Sequence, residues 1–207
     1  MIELVTARNG KSVLKKDGKL LASVFDPLRE AAAWADKVQS EFGADESIIV
    51  LGLGSGYHVE ELSARCSDRA IYVVEKDVEI AERVFELCGG IRRDRVIVEP
   101  DWIRLADLPV FQEALGGVYR IAPHGPSYQI DPEYYGAVDR LLRGRDKLSF
   151  LLLMKTRPEF LPLLDAEAVN AIGDEAISIK TISRLFSARA VGSRQRRIWQ
   201  LLEELVV

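Results

Sequence analysis

Along the chain, apolar and polar positions change their spacing, and each spacing predicts a different element. In the first 25 residues short apolar runs are separated by turn residues, and in SVLKKDGKLLAS the pair Asp17-Gly18 divides two such runs. A two-residue Asp-Gly loop predicts a β-hairpin, because both of its positions need φ > 0. From residue 26 the spacing becomes helical, with Leu28, Ala31, Ala35, Val38 and Phe42 on one predicted inward face. Asp26 is placed to cap this helix, Pro27 stands where a missing N–H costs nothing, and Gly43 supplies the stop.

From residue 48 the pattern alternates between strand and helix. Ile48 to Leu51 is a short, continuous apolar run of the kind a parallel strand shows when both faces are covered. A helix is expected from about Tyr57 to Arg65, and a second strand over Ile71 to Val74. A second helix follows over Val78 to Leu87, capped by Asp77 and closed by Gly89-Gly90. Val96 to Val98 and Val118 to Ile121 read as a third and fourth strand, giving a parallel sheet with right-handed crossovers. Asp131-Pro132-Glu133 opens a helix reaching about Leu142; Leu148 to Met154 is apolar throughout and fits a buried strand or a buried helix equally. Helices are expected again around Phe160 to Ile172 and Arg194 to Leu205.

The chemistry concentrates between the first strand and its helix, in IIVLGLGSGYHVEEL. The dinucleotide fingerprint G-x-G-x-x-G has its third glycine three places after the second. Here that place holds Tyr57, a bulky residue where close helix–strand packing asks for none. The spacing Gly52, Gly54, Gly56 resembles instead the first motif of the class I S-adenosylmethionine (SAM)-dependent methyltransferases. Without Cβ atoms such a loop lets a ligand approach the backbone, and the following helix N-terminus favours a carboxylate. Glu75 ends the second strand about 20 residues further on, where an acid can accept from ribose hydroxyls. Asp101, after the third strand, is the candidate for the adenine amino group that the resemblance implies. One reading is a site for SAM or S-adenosylhomocysteine held by Gly52, Gly54, Gly56, Tyr57, His58, Glu75 and Asp101; the other is a Rossmann-like sheet whose turn is glycine-rich for packing and whose Glu75 is solvated.

A catalytic constellation is harder to find. Many amino-group methyltransferases carry Asn/Asp-Pro-Pro-aromatic after the fourth strand, and the corresponding stretch here is APHGPSYQID. It offers His124 and Tyr128 as weak candidates and no Asn or Asp at the strand end. His58 lies in the first turn of the glycine-loop helix, whose dipole favours the neutral ring.

Taken together, the motifs predict an α/β fold of Rossmann-like, class I SAM-methyltransferase-like type: a parallel sheet flanked by helices, with an N-terminal β-hairpin and a helical C-terminal tail. Residues 1–45 would form the hairpin and helix, 46–157 the core and 158–207 the extension, in one compact unit. A longer set of motifs, LLASVFDPLREAAAWAD, IIVLGLGSGYHVEEL, IYVVEKD and DPEYY, resembles the N-terminal domain of the Maf (motility accessory factor) flagellin glycosyltransferases and their MptE-like relatives. Phe25 replaces the family's usual tyrosine; Asp26, Pro27, Glu30, Ala31 and the Gly52-to-His58 stretch match it. In that family sugar transfer is attributed to a central domain opening with a strand and GPSL, and this chain stops about where that domain would begin. The resemblance implies a stand-alone first domain, an accessory or ligand-binding module in surface or flagellar glycosylation; an active methyltransferase on a small molecule is the alternative.

Composition narrows the partners. A net charge of −4 gives no overall attraction to nucleic acid or anionic membrane. Six cations and no acid lie between Lys180 and Arg197 without the interleaved aromatic platform that single strands need. A face for a protein partner, or for a second copy through Trp199, Leu202 and Leu205 of the C-terminal helix, is the better expectation. Cys66 and Cys88 make neither a disulfide framework nor a metal site. With no apolar leader and no membrane span, a cytoplasmic protein is expected.

Overall fold

A computed structural model describes residues 1–41, 46–144 and 146–156, together with Asn170. The chain divides into two compact units, residues 1–139 and 140–207, and the division falls within one helix.

The first unit begins with an antiparallel sheet of β1 (Ile2–Thr6), β2 (Ser12–Lys16) and β3 (Lys19–Leu20). Asp17 and Gly18 take φ of 49° and 81°, as the Asp-Gly hairpin requires. Helix α1 (Pro27–Glu41) follows, with Asp26 accepting from the Arg29 amide as its cap. Its buried face is Pro27, Ala31, Ala35 and Val38. Leu28 departs from the expected face and is exposed, while Phe42 and Gly43 lie outside the described residues.

The parallel sheet is built from β4 (Ser47–Leu51), β5 (Ile71–Glu75), β6 (Val96–Val98) and β7 (Tyr119–Pro123), in the spatial order β6-β5-β4-β7. Two crossovers, α2 (Tyr57–Arg65) and α3 (Val78–Leu87), carry the chain outward from β4 to β6. It then returns, through a 3-10 turn at Trp102–Asp107 and α4 (Pro109–Ala114), to place β7 on the other side of β4. The strand order therefore reverses at β4. Ile48 to Leu51 are wholly buried, which explains the unbroken apolar run: both faces of this central strand are covered. Asp77 caps α3 through the Glu79 amide. The helix ends at Cys88 in an extended conformation, so Gly89-Gly90 does not close it by a left-handed turn.

After β7 comes an element absent from the hydropathy pattern, the single-turn helix α5 (Gly125–Ile130). Helix α6 (Pro132–Arg143) follows, its first turn capped by Asp131 through the Tyr134 amide. In the second unit, α7 (Lys147–Lys155) resolves the ambiguity of Leu148 to Met154 as helix; Asp146 caps it through both the amide and the hydroxyl of Ser149. The expected helices around residues 160–172 and 194–205, with the basic run and the apolar strip of the latter, lie outside the described residues, Asn170 excepted. Among the described residues no helix is long and apolar enough to cross a membrane.

Candidate functional site

The glycine loop emerges from the C-terminal end of β4, at the point where the strand order reverses. Ligands of open α/β sheets bind in the crevice at such a point. Gly52, Gly54 and Gly56 all have positive φ (98°, 53° and 86°), a conformation that side chains strain to adopt.

What fills the space beside them is the chain itself. A Cβ on Gly52 would fall 2.2 Å from the Ser127 Cβ, and one on Gly54 would fall 2.4 Å from the His124 ring. One on Gly56 would meet Val84, Cys88 and Ile91, the closest at 2.6 Å. The first two occupants are brought in by α5 and the residue before it. The third set belongs to α3 and the loop beyond it. Each glycine permits a close approach, and each approach is made by a protein side chain.

The motif's polar groups are engaged in the same way. Glu75, only 1% exposed, accepts at one carboxylate oxygen from the Leu53 amide at 2.8 Å. Its other oxygen accepts from the Asp77 amide and the Tyr135 hydroxyl, both at 3.0 Å. Burial raises its pKa above the ordinary carboxylate value, with the amides of Asp77 and Leu53 and the Tyr135 hydroxyl opposing that rise. Ser55 Oγ accepts from the Leu14 amide of β2, and the Tyr57 hydroxyl donates to the Ser12 carbonyl at 2.7 Å. These two bonds tie the N-terminal hairpin across the loop. Asp101 is exposed and caps the 3-10 turn through the Ile103 amide. The Tyr128 hydroxyl donates to the Tyr135 carbonyl.

The two histidines of the chain meet here. Their rings stack in parallel, with centroids 3.8 Å apart and planes 3° apart, and Trp34 of α1 packs edge-on against His58 at 4.9 Å. His58 Nε2 lies 3.1 Å from the Gly52 carbonyl, an acceptor only, so this nitrogen carries the proton. His124 Nδ1 pairs with Ser127 Oγ at 2.8 Å. Burial lowers the pKa of His58 to about 4, the Gly52 carbonyl opposing the shift. His124 is lowered well below its usual value, first by burial and then by His58. Both rings are neutral at pH 7.

Little volume is left. The cavity beside the histidines, lined by Glu30, Trp34, Ser55, Tyr57, His58 and His124 among others, is about 50 Å³. The one at the acidic end of β5, between Lys16, Glu75, Ser127 and Tyr135, is about 10 Å³. A cavity of the latter size holds about one water, and small-ligand pockets run from about 300 Å³ upward. Neither of these two cavities has the volume of an adenosyl-sized ligand pocket. Asp101, the expected adenine contact, lines neither cavity.

Sequence reasoning grouped Gly52, Gly54, Gly56, Tyr57, His58, Glu75 and Asp101 as a binding set, with His124 and Tyr128 as catalytic candidates. The structure leaves Asp101 apart and surrounds the loop with Trp34, Ser55, Ser127 and Tyr135, which sequence reasoning did not single out. Ser127 and Tyr135 stood inside the quoted stretches APHGPSYQID and DPEYY, but no local spacing ties them to the loop. No protein-family model, curated protein or solved structure matches the chain.

Proposed function

We propose that this chain is a non-catalytic accessory module on a Rossmann-type, methyltransferase-like domain, related to the N-terminal domain of the Maf-type glycosyltransferases. The observation that carries the reading is the self-filled glycine loop: every glycine faces a side chain of the chain, and Glu75 spends both oxygens on internal donors. The strand order β6-β5-β4-β7 supports the Rossmann assignment, since it follows the 3-2-1-4 order of a nucleotide-binding sheet. The setting in surface or flagellar glycosylation rests on the motif resemblance alone.

The alternative, an active SAM-dependent methyltransferase on a small molecule, draws on one observation: Glu75 ends the strand beside the reversal point, where a ribose would lie. It requires α5 and the hairpin to withdraw together. A thermal-shift and calorimetric screen of SAM, S-adenosylhomocysteine, NAD(P) and nucleotide-sugars separates the two. A ligand at about a hundred times its Kd stabilises by roughly 2.7 kcal/mol, readily seen in Tm. The accessory module gives no shift with the adenosyl ligands. Saturable SAM binding, or methyl transfer lost on Glu75→Ala, overturns it.

A further inference from the structure

The opposite edge of the same sheet, at the N-terminal ends of β5 and β6, is built from two short connections. The loop after α2 turns at Cys66, whose carbonyl accepts from the Arg69 amide, and enters β5 beside Ala70, whose carbonyl is bonded to the Ile48 amide. A 3-10 turn (Arg93–Arg95) leads into β6, its Arg95 amide bonded to the Arg92 carbonyl. Between them lies a groove of about 350 Å³, whose lining includes Ser63, Ser67, Arg69, Ile91, Arg92 and Arg95.

Two of the three guanidiniums that line this groove make no side-chain hydrogen bond among the described residues. Arg69 Nη1 is buried and has no hydrogen-bond partner, the sole such side-chain atom among the described residues. An unsatisfied buried donor on a permanent cation is costly, and an anion satisfies both its hydrogen bond and its charge. Arg95 is half-buried, its guanidinium 5.6 Å from the Tyr72 ring centroid, and makes no side-chain hydrogen bond among the described residues. Arg92 is the exception, held by both oxygens of Asp94 at 2.6 and 3.2 Å. Among the described residues of the lining, Asp68 is the only carboxylate.

We propose that this groove binds a small phosphorylated metabolite, its phosphate between Arg69 and Arg95 and its body against the apolar lining residues Ile71 and Ile91. Guanidinium forks match phosphate oxygens in geometry and stay charged at every physiological pH. A volume of about 350 Å³ suits a phosphate ester with a sugar-sized body better than the bare ion. The site lies away from the glycine loop and is independent of the function proposed above.

Calorimetry at constant ionic strength, with inorganic phosphate and glucose 6-phosphate as probes, tests it. Both saturate, the sugar phosphate more tightly. Arg69→Gln weakens both by about tenfold or more, since a charge-assisted contact is lost. Arg95→Met weakens them in the same direction, and Asp68→Asn tightens them by removing the opposing charge. Arg83→Gln, on α3 and outside the groove, leaves them unchanged. Arg69 makes no side-chain hydrogen bond among the described residues, so its variant keeps the fold, as circular dichroism checks. The proposal is overturned if neither probe saturates, if phosphate binds and the sugar phosphate does not, or if Arg69→Gln binds as wild type does.

Discussion

The two edges of the parallel sheet differ in what they do with the same resources of loop and charge. At the C-terminal edge, a glycine loop, an acidic strand end and two histidines look from the sequence like a ligand cradle. There Ser127, His124 and the α3 side chains occupy the space that three glycines open, and Glu75 is surrounded by donors from its own chain. At the N-terminal edge no motif is visible, yet among the described residues the Arg69 and Arg95 side chains make no hydrogen bond beside a groove of about 350 Å³. Glycine supplies room and positive φ, and either a ligand or a side chain can use them. A glycine motif therefore identifies a close approach without identifying what approaches.

The strongest way to break this comparison is to put a Cβ where the loop has none. Gly52→Ala places a methyl 2.2 Å from Ser127 Cβ at a φ of 98°, combining overpacking with backbone strain. Together these cost about 3–5 kcal/mol, enough to unfold many domains of this size. Gly117→Ala, with nothing within 4 Å of its Cβ and no positive φ, changes stability by about 0.5 kcal/mol or less. Urea unfolding of the two variants measures the contrast. A loop built for a ligand would have open space at Gly52, and Gly52→Ala would then keep most of its stability.

How much of this was legible follows from the range of the interactions. Asp17-Gly18, Pro27 and the Asp77 cap act within a turn of chain, and the hairpin, α1 and α3 begin where these residues place them. Tyr57 to Arg65 and Val96 to Val98 likewise coincide with α2 and β6. Helix α5 leaves no trace in APHGPSYQID because six residues are too few to show a period. The apolar run from Leu148 to Met154 has no polar face from which to tell a period of two from one of 3.6. The stacking of His58 on His124 and the bond from Tyr135 to Glu75 join distant segments, and no spacing within either segment encodes them. Position was readable and occupancy was not. The arginine groove fails for the same reason, since Arg69 and Arg95 sit in separate crossovers.

The histidine pair sharpens the comparison through pH. With its folded pKa lowered to about 4, His58 binds a proton more readily in the unfolded chain, so stability falls as pH drops from about 6.5 toward 4. The contribution of His58 across that window is on the order of 3 kcal/mol, and His124 adds in the same direction. Glu75 acts oppositely, its raised pKa giving protonation in the folded state first as pH falls below its folded value. His58→Gln keeps a donor for the Gly52 carbonyl and removes one titration, so its unfolding free energy should fall less between pH 6.5 and 4.5. An unchanged slope would mean that the ring is open to solvent, as in a site awaiting a ligand.

The smallest effect separates two neighbouring tyrosines. Tyr135 donates to the Glu75 carboxylate, whereas Tyr134 donates to the Glu99 carbonyl. A bond to a charged acceptor contributes about 1.5–3 kcal/mol and one to a neutral acceptor about 1 kcal/mol. Tyr135→Phe should therefore destabilise more than Tyr134→Phe in urea unfolding, and it should raise the Glu75 pKa further by removing a donor that favours the ionised form. Both hydroxyls are lost from buried positions, so the change in packing is alike for the two variants. If the two variants cost the same, Glu75 is already neutral when folded. The C-terminal edge would then hold its loop by hydrogen bonds between neutral groups.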